Sequence, residues 1–600
     1  MKTRIARLIR TCAAMALLLP AAAQAQLTRE QKLLDFQQLA AIYAKNYKPH
    51  EWKLQAFGFN LLDLKPWIAR VEQSKDDLAF YDVCIRYVAS LKDGHNAFTL
   101  PSDFYAYLPL IADLYDGKVL IETIDRTSLP IDRFPIQRGD EIVAIDGKTA
   151  AQWMEELLPY SVNGNGNDSA RRRLTTFTLT DRFQSWYPYA HLVPEMAKVE
   201  IRRGDGEVKT YEMAWEKLGT PLETIGRVPN PVLASAGQEP VARQSRTIRQ
   251  TRGESDSNPW ESHPGQVPPG TPEPGPAYMK ALEELRFSQP ENPPYTAATG
   301  FGYRTPVFNP PAGFVRRLGG AASDNFLSGA FPLNGKSVGL IRIPTMSPTN
   351  QTLALAQFQT EIAFFNANTQ GLVIDVMHNG GGSLCYTEAL LRFLIPYPFR
   401  SVAYEIRSTE FWTLVFSSSL WNAKLLESPQ WVIDLYQTYL DQIQTARSEN
   451  RGSTGNLPIC GPTFENMTPF TAANGTVLAY NKPIIVLTNE FSFSAAESFA
   501  GLLQDANRVT VYGTRTGGGG GNPASYNAGH YSMGSTRATR SLVTRSRLIA
   551  TPGLPAGNHM ENIGVYPDIW ADFMTIENFE TNGKPFVDGF LAKMTELMSQ

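Results

Sequence analysis

The sequence predicts an α/β protein in which a helical segment and a strand-rich segment precede a core of alternating strands and helices. Three observations predict this class. Apolar residues recur at helical spacing over the first hundred residues, short apolar runs separated by turns follow, and strands alternate with helices after about residue 330. Alternation of this last kind builds a sheet that is covered by helices.

The predicted N-terminal helical domain spans residues 26–103. Thr28 and Gln31 have the spacing of a capping box, which begins a helix with one apolar face. That face is formed by Leu33, Phe36, Leu39 and Tyr43. A second helix is predicted from Leu78, Tyr81, Ile85 and Val88. The chain leaves this second helix at the segment 92–95.

A strand-rich domain is predicted over residues 104–216. Val119–Ile121 and Glu141–Ile145 are typical of short buried strands, and the second is followed by an Asp-Gly turn at 146–147. Two further strands, at 199–202 and 208–213, flank Gly204-Asp205-Gly206, which indicates a hairpin.

Residues 217–330 are predicted to form a Pro-rich insertion or linker. Ten prolines lie between Pro229 and Pro276. Such a segment cannot bury enough apolar surface to offset the entropy lost on ordering. The core is then predicted over residues 331–600. Its strands are expected at 338–343, 372–377, 484–487 and 509–512, and its helices at 352–366, from 388, and at 495–504.

Composition excludes several classes of protein. The 600 residues are 43% hydrophobic and 19% charged, which excludes a mostly disordered or coiled-coil chain. The formal net charge is −3, and no long basic run occurs. The sequence therefore predicts no nucleic-acid partner.

The first 25 residues have the three parts of a secretory signal peptide. Four cations precede an apolar run at 12–19, and Ala23-Gln24-Ala25 supplies a small-residue cleavage pattern. We therefore predict cleavage after Ala25 and residence in the periplasm or outside the cell. The apolar run is too short to span a bilayer and no longer one occurs, so no stable membrane span is expected.

Cysteine and histidine patterns give no sign of a metal site. Without the signal peptide the cysteines are Cys84, Cys385 and Cys460, and a Cys385–Cys460 bridge and buried free thiols both stay open. No Cys-x-x-Cys or His-Glu-x-x-His pattern occurs, and the seven histidines are scattered. We predict no metal and no cofactor.

The strongest chemical signal surrounds Ser494. A buried strand ends, a tight turn follows, and Ser494 falls where a helix begins. A hydroxyl there can attack a carbonyl while the Ala495 N–H, at the positive end of the helix, helps to bind the oxyanion. Ser494 and Glu497 also have the spacing of an ordinary capping box, so a purely structural role stays open.

A second signal is a glycine-rich loop after a buried strand, Asp375–Gly382. Its three glycines allow a ligand to approach exposed backbone N–H groups. No Gly-Lys-Ser/Thr follows, which disfavours a phosphate loop, and the glycines at 517–521 lack a lysine as well.

In their order these segments resemble the C-terminal-processing (tail-specific) serine peptidase family. The resemblance covers about 335–570 and rests on Asn-Gly-Gly-Gly at 379–382, Ser-Ala-Ala-Glu at 494–497, Val-Tyr-Gly at 511–513, Thr-Gly-Gly at 516–518 and Gly-Val-Tyr-Pro-Asp at 564–568. Residues 136–147 resemble a PDZ domain. The resemblance implies a crotonase-like core, preceded by the helical domain and a PDZ-like β-rich domain.

One departure from the tail-specific branch affects the expected general base. That branch uses a lysine about 25 positions after the serine, but residue 519 is Gly, and no Lys occurs between Lys482 and Lys584. The sequence instead resembles the tricorn-core branch, which uses Ser, His and Glu. This resemblance implies Ser494 as the nucleophile, His95 as the base and Glu561 as the orienting carboxylate.

Alternatives stay open for each role. His378 is the rival base because it lies beside the glycine-rich loop, and His530 and His559 follow it. Asp568 and Glu497 are the other candidate carboxylates, Asp505 is expected to cap its helix, and Ser492 is an adjunct. For the oxyanion hole the prediction is the Gly381 amide with that of Ala495, and Gly380 is possible.

The predicted function is an exported serine endopeptidase that cleaves proteins or peptides through an acyl-enzyme. The PDZ-like domain would bind an extended peptide by strand addition. The alternative is a non-catalytic, peptide- or ligand-binding relative of the same fold. An acyl-CoA enzyme is disfavoured by the signal peptide, and the oligomeric state stays open.

Overall fold

The computed structural model describes residues 26–161, 166–222 and 302–600. The predicted signal peptide and the proline cluster at 229–276 lie outside the described residues. The helices are α1 Arg29–Asn46, α2 His50–Phe57, α3 Lys65–Glu72, α4 Asp77–Ala89, α5 Ala150–Leu157, α6 Asp168–Thr180, α7 Gln351–Asn368, α8 Leu384–Leu391, α9 Glu410–Leu425, α10 Gln430–Ser448, α11 Ala495–Asp505, α12 Ile576–Thr581 and α13 Lys584–Leu597.

The strands form five sheets among the described residues. They are β1 Ala97–Thr99, β2 Tyr105–Tyr107, β3 Leu110–Tyr115, β4 Lys118–Ile124, β5 Glu141–Ile145, β6 Lys148–Thr149, β7 Asp181–Phe183, β8 Met196–Arg202, β9 Val208–Ala214, β10 Glu216–Leu218, β11 Val315–Leu318, β12 Leu327–Leu333, β13 Lys336–Arg342, β14 Gly371–Asp375, β15 Ala403–Ile406, β16 Leu457–Pro458, β17 Ile484–Thr488, β18 Thr510–Gly513, β19 Pro523–Asn527, β20 Ser535–Thr539, β21 Ser541–Thr551, β22 Leu554–His559 and β23 Ile569–Trp570. The protein is therefore mixed α/β.

The N-terminal helices form where the sequence predicts them. Thr28 caps α1, and its capping box with Gln31 is complete. The predicted apolar face of α4 is buried, and it shares one core with Phe36, Leu39 and Tyr43 of α1. Burial of these faces, rather than helix propensity alone, stabilises short helices of this kind.

The strand-rich part contains an antiparallel sheet with the order β3-β4-β5-β8-β9, and β6 pairs with β5. The predicted turn after β5 forms, with Asp146 and Gly147 both at positive φ. The predicted hairpin of β8 and β9 is confirmed. Strands β3 and β9 lie at the two edges of this sheet.

The core is a seven-stranded sheet with the order β11-β12-β13-β14-β17-β18-β23. From β13 to β23 neighbouring strands are parallel. Alternate residues of each strand point to opposite faces. One face packs on α7, α8 and α11, and the other packs on α13. The carboxyl ends of β14 and β17 are neighbours, which brings together the glycine-rich loop and the turn before Ser494.

Three features of the core differ from the sequence predictions. Residues predicted as linker form β11 and most of β12, because they pair with the edge of the core sheet. Helix α8 begins at Leu384 rather than at 388, because Ser383 caps it by accepting from the Tyr386 N–H. The antiparallel helices α9 and α10 were not predicted.

The helical domain is attached to the core through a small sheet. Strand β1 pairs with β20, which in turn pairs with β19. Next to β1, the Asn96 side-chain oxygen accepts from the backbone N–H of Thr539 at 2.9 Å. The Tyr43 hydroxyl donates to the Arg537 carbonyl at 2.7 Å. These bonds fix the segment that carries His95.

Cys385 and Cys460 form a disulfide, with their Cα atoms 5.2 Å apart. Cys84 is a buried free thiol. Within the described ranges, no helix has both the length and the apolarity needed to cross a membrane.

Candidate active site

Ser494 lies at the point where the chain turns from β17 into α11. Its backbone is at φ 57° and ψ −118°, a conformation that a residue with a side chain rarely adopts. Such strain costs about 1–3 kcal/mol and concentrates at functional sites. The Ser494 side chain is half-buried, whereas Ser492 is fully buried and its hydroxyl donates to the Val376 carbonyl at 2.8 Å. Ser492 therefore ties the turn to the end of β14, and Ser494 is the serine that a ligand can reach.

The glycine-rich loop approaches Ser494 closely. Gly381 has φ 96°, and a Cβ atom added to it would lie 2.7 Å from the Cβ of Ser494 and 3.0 Å from the backbone nitrogen of Ala495. The Gly381 N–H donates to the Asn379 side-chain oxygen at 3.0 Å. Among the described residues, the Ala495 N–H has no hydrogen-bond partner, so it is free to receive a negatively charged oxygen.

His95 lies against the turn that carries Ser494. Its ring centroid is 4.7 Å from that of Phe493, the residue before the serine. Burial lowers the pKa of His95 to about 4; Arg537 and Lys53 also lower it, against the Asp93 carboxylate. The imidazole is therefore neutral at pH 7 and able to accept a proton. Both His95 and Ser494 lie in the described ranges, and no hydrogen bond joins their side chains in this structure.

Glu561 lies close to His95 and is fully buried. One carboxylate oxygen accepts the Gly520 N–H at 3.1 Å. The potential ligand atoms of Asp93, His95 and Glu561 all lie within 4.8 Å of one another. The pKa of Glu561 is raised to about 8, mainly by burial and also by the Asp93 carboxylate, while the Lys53 ammonium and the Gly520 N–H oppose the rise.

Lys53 is a site residue that the sequence analysis missed. It lies on α2 and is 0% exposed. Its ammonium group donates to the Lys92 carbonyl at 2.9 Å and also contacts Glu561 and the Asn562 side-chain oxygen. No local pattern could have identified it, because a lysine in a short helix is ordinarily solvated and these partners are distant in sequence.

The rival histidines have other surroundings. The ring nitrogens of His378 face the Asn489 side-chain amide at 3.0 Å and the Arg173 guanidinium at 3.4 Å. The backbone N–H of His530 donates to Asp35 on α1. His559 packs against Trp52 with a centroid separation of 4.4 Å, and burial lowers its pKa to about 3.

The rival carboxylates support the backbone. Glu497 accepts the N–H groups of Ser494, Gly518 and Gly519. Asp568 accepts the Val511 N–H at 2.7 Å. Asp505 forms an ion pair with Arg545 beside the end of α11. Each of these groups holds a turn or a helix end in place.

Within the described parts of the chain, Asp93, His95 and Glu561 form the one cluster that has the geometry for a metal ion. The Lys53 ammonium already supplies a positive charge to Glu561 there. A divalent cation would bring its own charge close to that ammonium. The donor set therefore suits an imidazole between carboxylates better than a metal site.

Comparison with known proteins finds matches to two domain families and to several relatives. Residues 337–570 match the model of peptidase family S41, and residues 104–225 match that of a PDZ domain. An uncharacterized protein of Chlamydia muridarum is 25% identical, over 95% of this chain and 93% of its own length. A carboxy-terminal-processing protease of Bartonella bacilliformis is 38% identical over 95 residues, which are 15% of this chain and 19% of that protein.

The overall fold also matches a solved structure, that of mature CPAF. The TM-score is 0.70 at 21% identity, with 95% of this chain and 98% of that chain covered. At this level of identity the likeness is one of fold. Together with the two matched domains, it leads to one classification. The chain contains a peptidase family S41 domain at 337–570 and a PDZ domain at 104–225, which makes it a serine peptidase similar to the C-terminal-processing proteases.

Proposed function

We propose that the protein is an exported endopeptidase in which Ser494 is the nucleophile, His95 the general base and Glu561 the orienting carboxylate. The observation that carries this proposal is the packing of a buried, neutral imidazole against the turn of a strained, accessible serine. A carboxylate lies within 4.8 Å of the same imidazole.

The reaction follows from these positions. The Ser494 oxygen attacks the carbonyl carbon of a peptide bond while His95 takes the hydroxyl proton. His95 then gives that proton to the leaving amine as the carbon–nitrogen bond breaks, which leaves an acyl-enzyme. A water molecule, deprotonated by His95, then attacks the acyl carbon; the ester bond to Ser494 breaks, the serine oxygen takes the proton back from His95, and the acid is released. Because apo geometry is often loose, a small ring rotation on substrate binding would complete the hydrogen bond to Ser494.

We assign the oxyanion hole to the N–H groups of Ala495 and Gly381. The free Ala495 N–H lies at the start of α11, where the helix end favours negative charge. The Gly381 N–H would exchange its bond to the neutral Asn379 oxygen for a bond to the oxyanion. A charged acceptor makes the stronger hydrogen bond, so this exchange is favourable when the charge develops.

Export is supported by the disulfide. A Cys385–Cys460 bridge persists in oxidising compartments and is rare in the cytosol. This agrees with the predicted signal peptide at 1–25 and with residence in the periplasm or outside the cell.

Substrates are proteins or peptides, as the peptidase family implies. We propose that they are bound in part by strand addition to the PDZ domain, whose sheet has an outward-facing edge at β9.

For the domain organisation we propose a helical domain at 26–103, a PDZ-like domain at 104–216 and an insertion that ends near 314. The catalytic core would then begin at about 315, ahead of the predicted 331, because β11 and β12 belong to its sheet.

A fluorophosphonate probe tests the proposal directly. The wild-type protein should be labelled and should hydrolyse an unfolded protein, and Ser494→Ala should do neither. Ser532→Ala, which changes a buried serine near the helical domain, is the matched control and should behave as wild type. Labelling that persists in Ser494→Ala would assign the nucleophile to another residue. A protein that is neither labelled nor active would fit the non-catalytic alternative.

A further inference from the structure

Four ionisable side chains, one of them His95, lie together in a buried cluster. Asp93, His95, Glu561 and Lys53 are each 5% exposed or less. Two are carboxylic acids and one is an amine, so the ionisation state of each depends on the others. The reaction described above gives no role to Asp93 or to Lys53.

The surroundings of Lys53 match an ammonium ion. A charged lysine has three N–H donors and no acceptor. The described structure places three acceptors around its nitrogen: the Lys92 carbonyl, a Glu561 carboxylate oxygen and the Asn562 side-chain oxygen. Every donor is satisfied. A fully buried ammonium requires such partners, because leaving its charge and donors unpaired away from water is costly.

The charge on Lys53 has a consequence for Glu561. Two buried carboxylates a few ångströms apart cannot both ionise easily, since each disfavours the charged form of the other. Asp93 and Glu561 form such a pair around His95. A protonated Glu561 would lose the negative charge that stabilises an imidazolium at His95.

From this geometry we infer that Lys53 is a positioning residue of the peptidase, the buried counter-ion that favours the ionised form of Glu561 and holds this side chain in place beside His95. The inference rests on the proposed function, because it assigns Lys53 a role only through Glu561. Lys53 also fixes geometry, since its bond to the Lys92 carbonyl ties α2 to the loop that carries His95.

Other charged groups near this pocket do not replace Lys53. The Lys92 ammonium lies over the Phe57 ring, 4.5 Å from its centroid. Lys48 pairs with Glu405 at 3.4 Å. Besides Lys53, the charged groups that act on the pKa of His95 are Asp93 and Arg537, and Asp93 also acts on the pKa of Glu561. Burial raises the pKa of the Tyr47 hydroxyl, and both carboxylates raise it further.

The test compares four variants across pH: Lys53→Met, Lys53→Arg, Glu561→Gln and the double variant Lys53→Met with Glu561→Gln. The readouts are the rate of fluorophosphonate labelling and the hydrolysis of an unfolded protein. Lys32→Met is the matched control, since Lys32 is a buried lysine of the same helical domain that pairs with Asp77 away from the site.

Lys53→Met should lower the labelling rate at pH 7 by about tenfold or more. The pH at which the labelling rate increases should become higher by about one pH unit or more. The sign follows because loss of a cation raises the pKa of a carboxyl, so the active ionised form appears only at higher pH. Lys53→Arg keeps the positive charge, so the labelling rate should increase at the same pH as in the wild type. Lys32→Met should lower stability alone.

The double variant separates positioning from a structural role. If Lys53 acts through Glu561, the double variant should be no slower than Glu561→Gln alone. The inference would be overturned if the fold-decrease in labelling rate of the double variant equalled the product of the two single fold-decreases. It would also be overturned if the pH profile of Lys53→Met were the same as that of the wild type. If Lys53→Met does not fold, Lys53→Gln removes the same charge with two donors retained, and the same outcomes apply. Failure of the proposed function is distinct, because Ser494→Ala would then still be labelled.

Discussion

The two halves of the candidate site are built in different ways. On the nucleophile side, Ser494, Ala495 and Gly381 follow neighbouring parallel strands of one sheet. On the base side, His95 and Lys53 come from the helical domain, and Lys53 meets Glu561 across 508 positions of sequence. The proposed nucleophile is positioned by the core sheet, whereas the surroundings of the proposed base include the N-terminal helical segment, whose β1 pairs with β20.

The largest effect expected on the base side is that of His95→Ala. Removing a general base from a serine peptidase costs several orders of magnitude in kcat, so His95→Ala should approach Ser494→Ala in hydrolysis of an unfolded protein. His530→Ala removes a histidine outside the pocket and should stay close to wild type.

The double variant of Ser494 and His95 tests whether the two residues act as one catalytic unit. Residues that act as one unit are not additive, so Ser494→Ala with His95→Ala should be no slower than either single variant. If His95→Ala keeps substantial turnover and a His378 variant loses it, the general base is His378. Both the nucleophile and the base would then belong to the core.

A smaller effect is expected from crowding the nucleophile side. In Gly381→Ala the new Cβ would lie 2.7 Å from both the Phe493 carbonyl oxygen and the Ser494 Cβ. We expect kcat to fall by about 100-fold or more, as when an oxyanion-hole donor is displaced. Gly553→Ala controls for backbone strain, because Gly553 also has positive φ but open space around it. Equal activity of Gly381→Ala and Gly553→Ala would contradict the close contact between Gly381 and the turn that carries Ser494.

The pH dependence of kcat/KM probes the base side. Because burial raises the pKa of Glu561 to about 8, activity that needs its carboxylate should increase as pH rises through about 8. His95, with its pKa lowered to about 4, is already neutral there and should not limit activity. Glu561→Gln should lose most activity and also this rise. A rise of unchanged size and position in that variant would point to a different titrating group.

The smallest effect on activity is expected from the disulfide, which lies on the core side. Cys385 and Cys460 close a segment with a sequence separation of 75. Replacing both by Ser should lower the free energy of unfolding by about 2–4 kcal/mol, mainly by freeing the unfolded chain. Denaturant unfolding measures this, and reduced wild type should match the variant. A large loss of kcat with unchanged stability would contradict a purely structural role.

The sequence predicted what neighbouring residues determine. The strand, turn and helix around Ser494 are contiguous, and so are the capping box at Thr28 and the hairpin of β8 and β9. Helix α9 has no simple apolar stripe, because it exposes Leu414, Trp421 and Leu425 while burying Trp412 and Phe416. Helix α10 does bury residues at helical spacing, a pattern that the sequence predictions did not use.

Features that need distant partners could not be found in the same way. Strand β1 is three residues long and forms by pairing with residues 535–537. Lys53 acquires its role only because Glu561 and the Lys92 carbonyl arrive around it. His95 and Glu561 were reached through family resemblance, and no local pattern in the chain identifies either of them.

The most direct test is a crystal structure of the protein after reaction with a fluorophosphonate. We expect phosphorus on the Ser494 oxygen, an imidazole nitrogen of His95 within about 3.2 Å of that oxygen and the phosphonyl oxygen facing the Ala495 N–H. Phosphorus on another residue, or a His95 ring held away from Ser494 with no other base in contact, would contradict it.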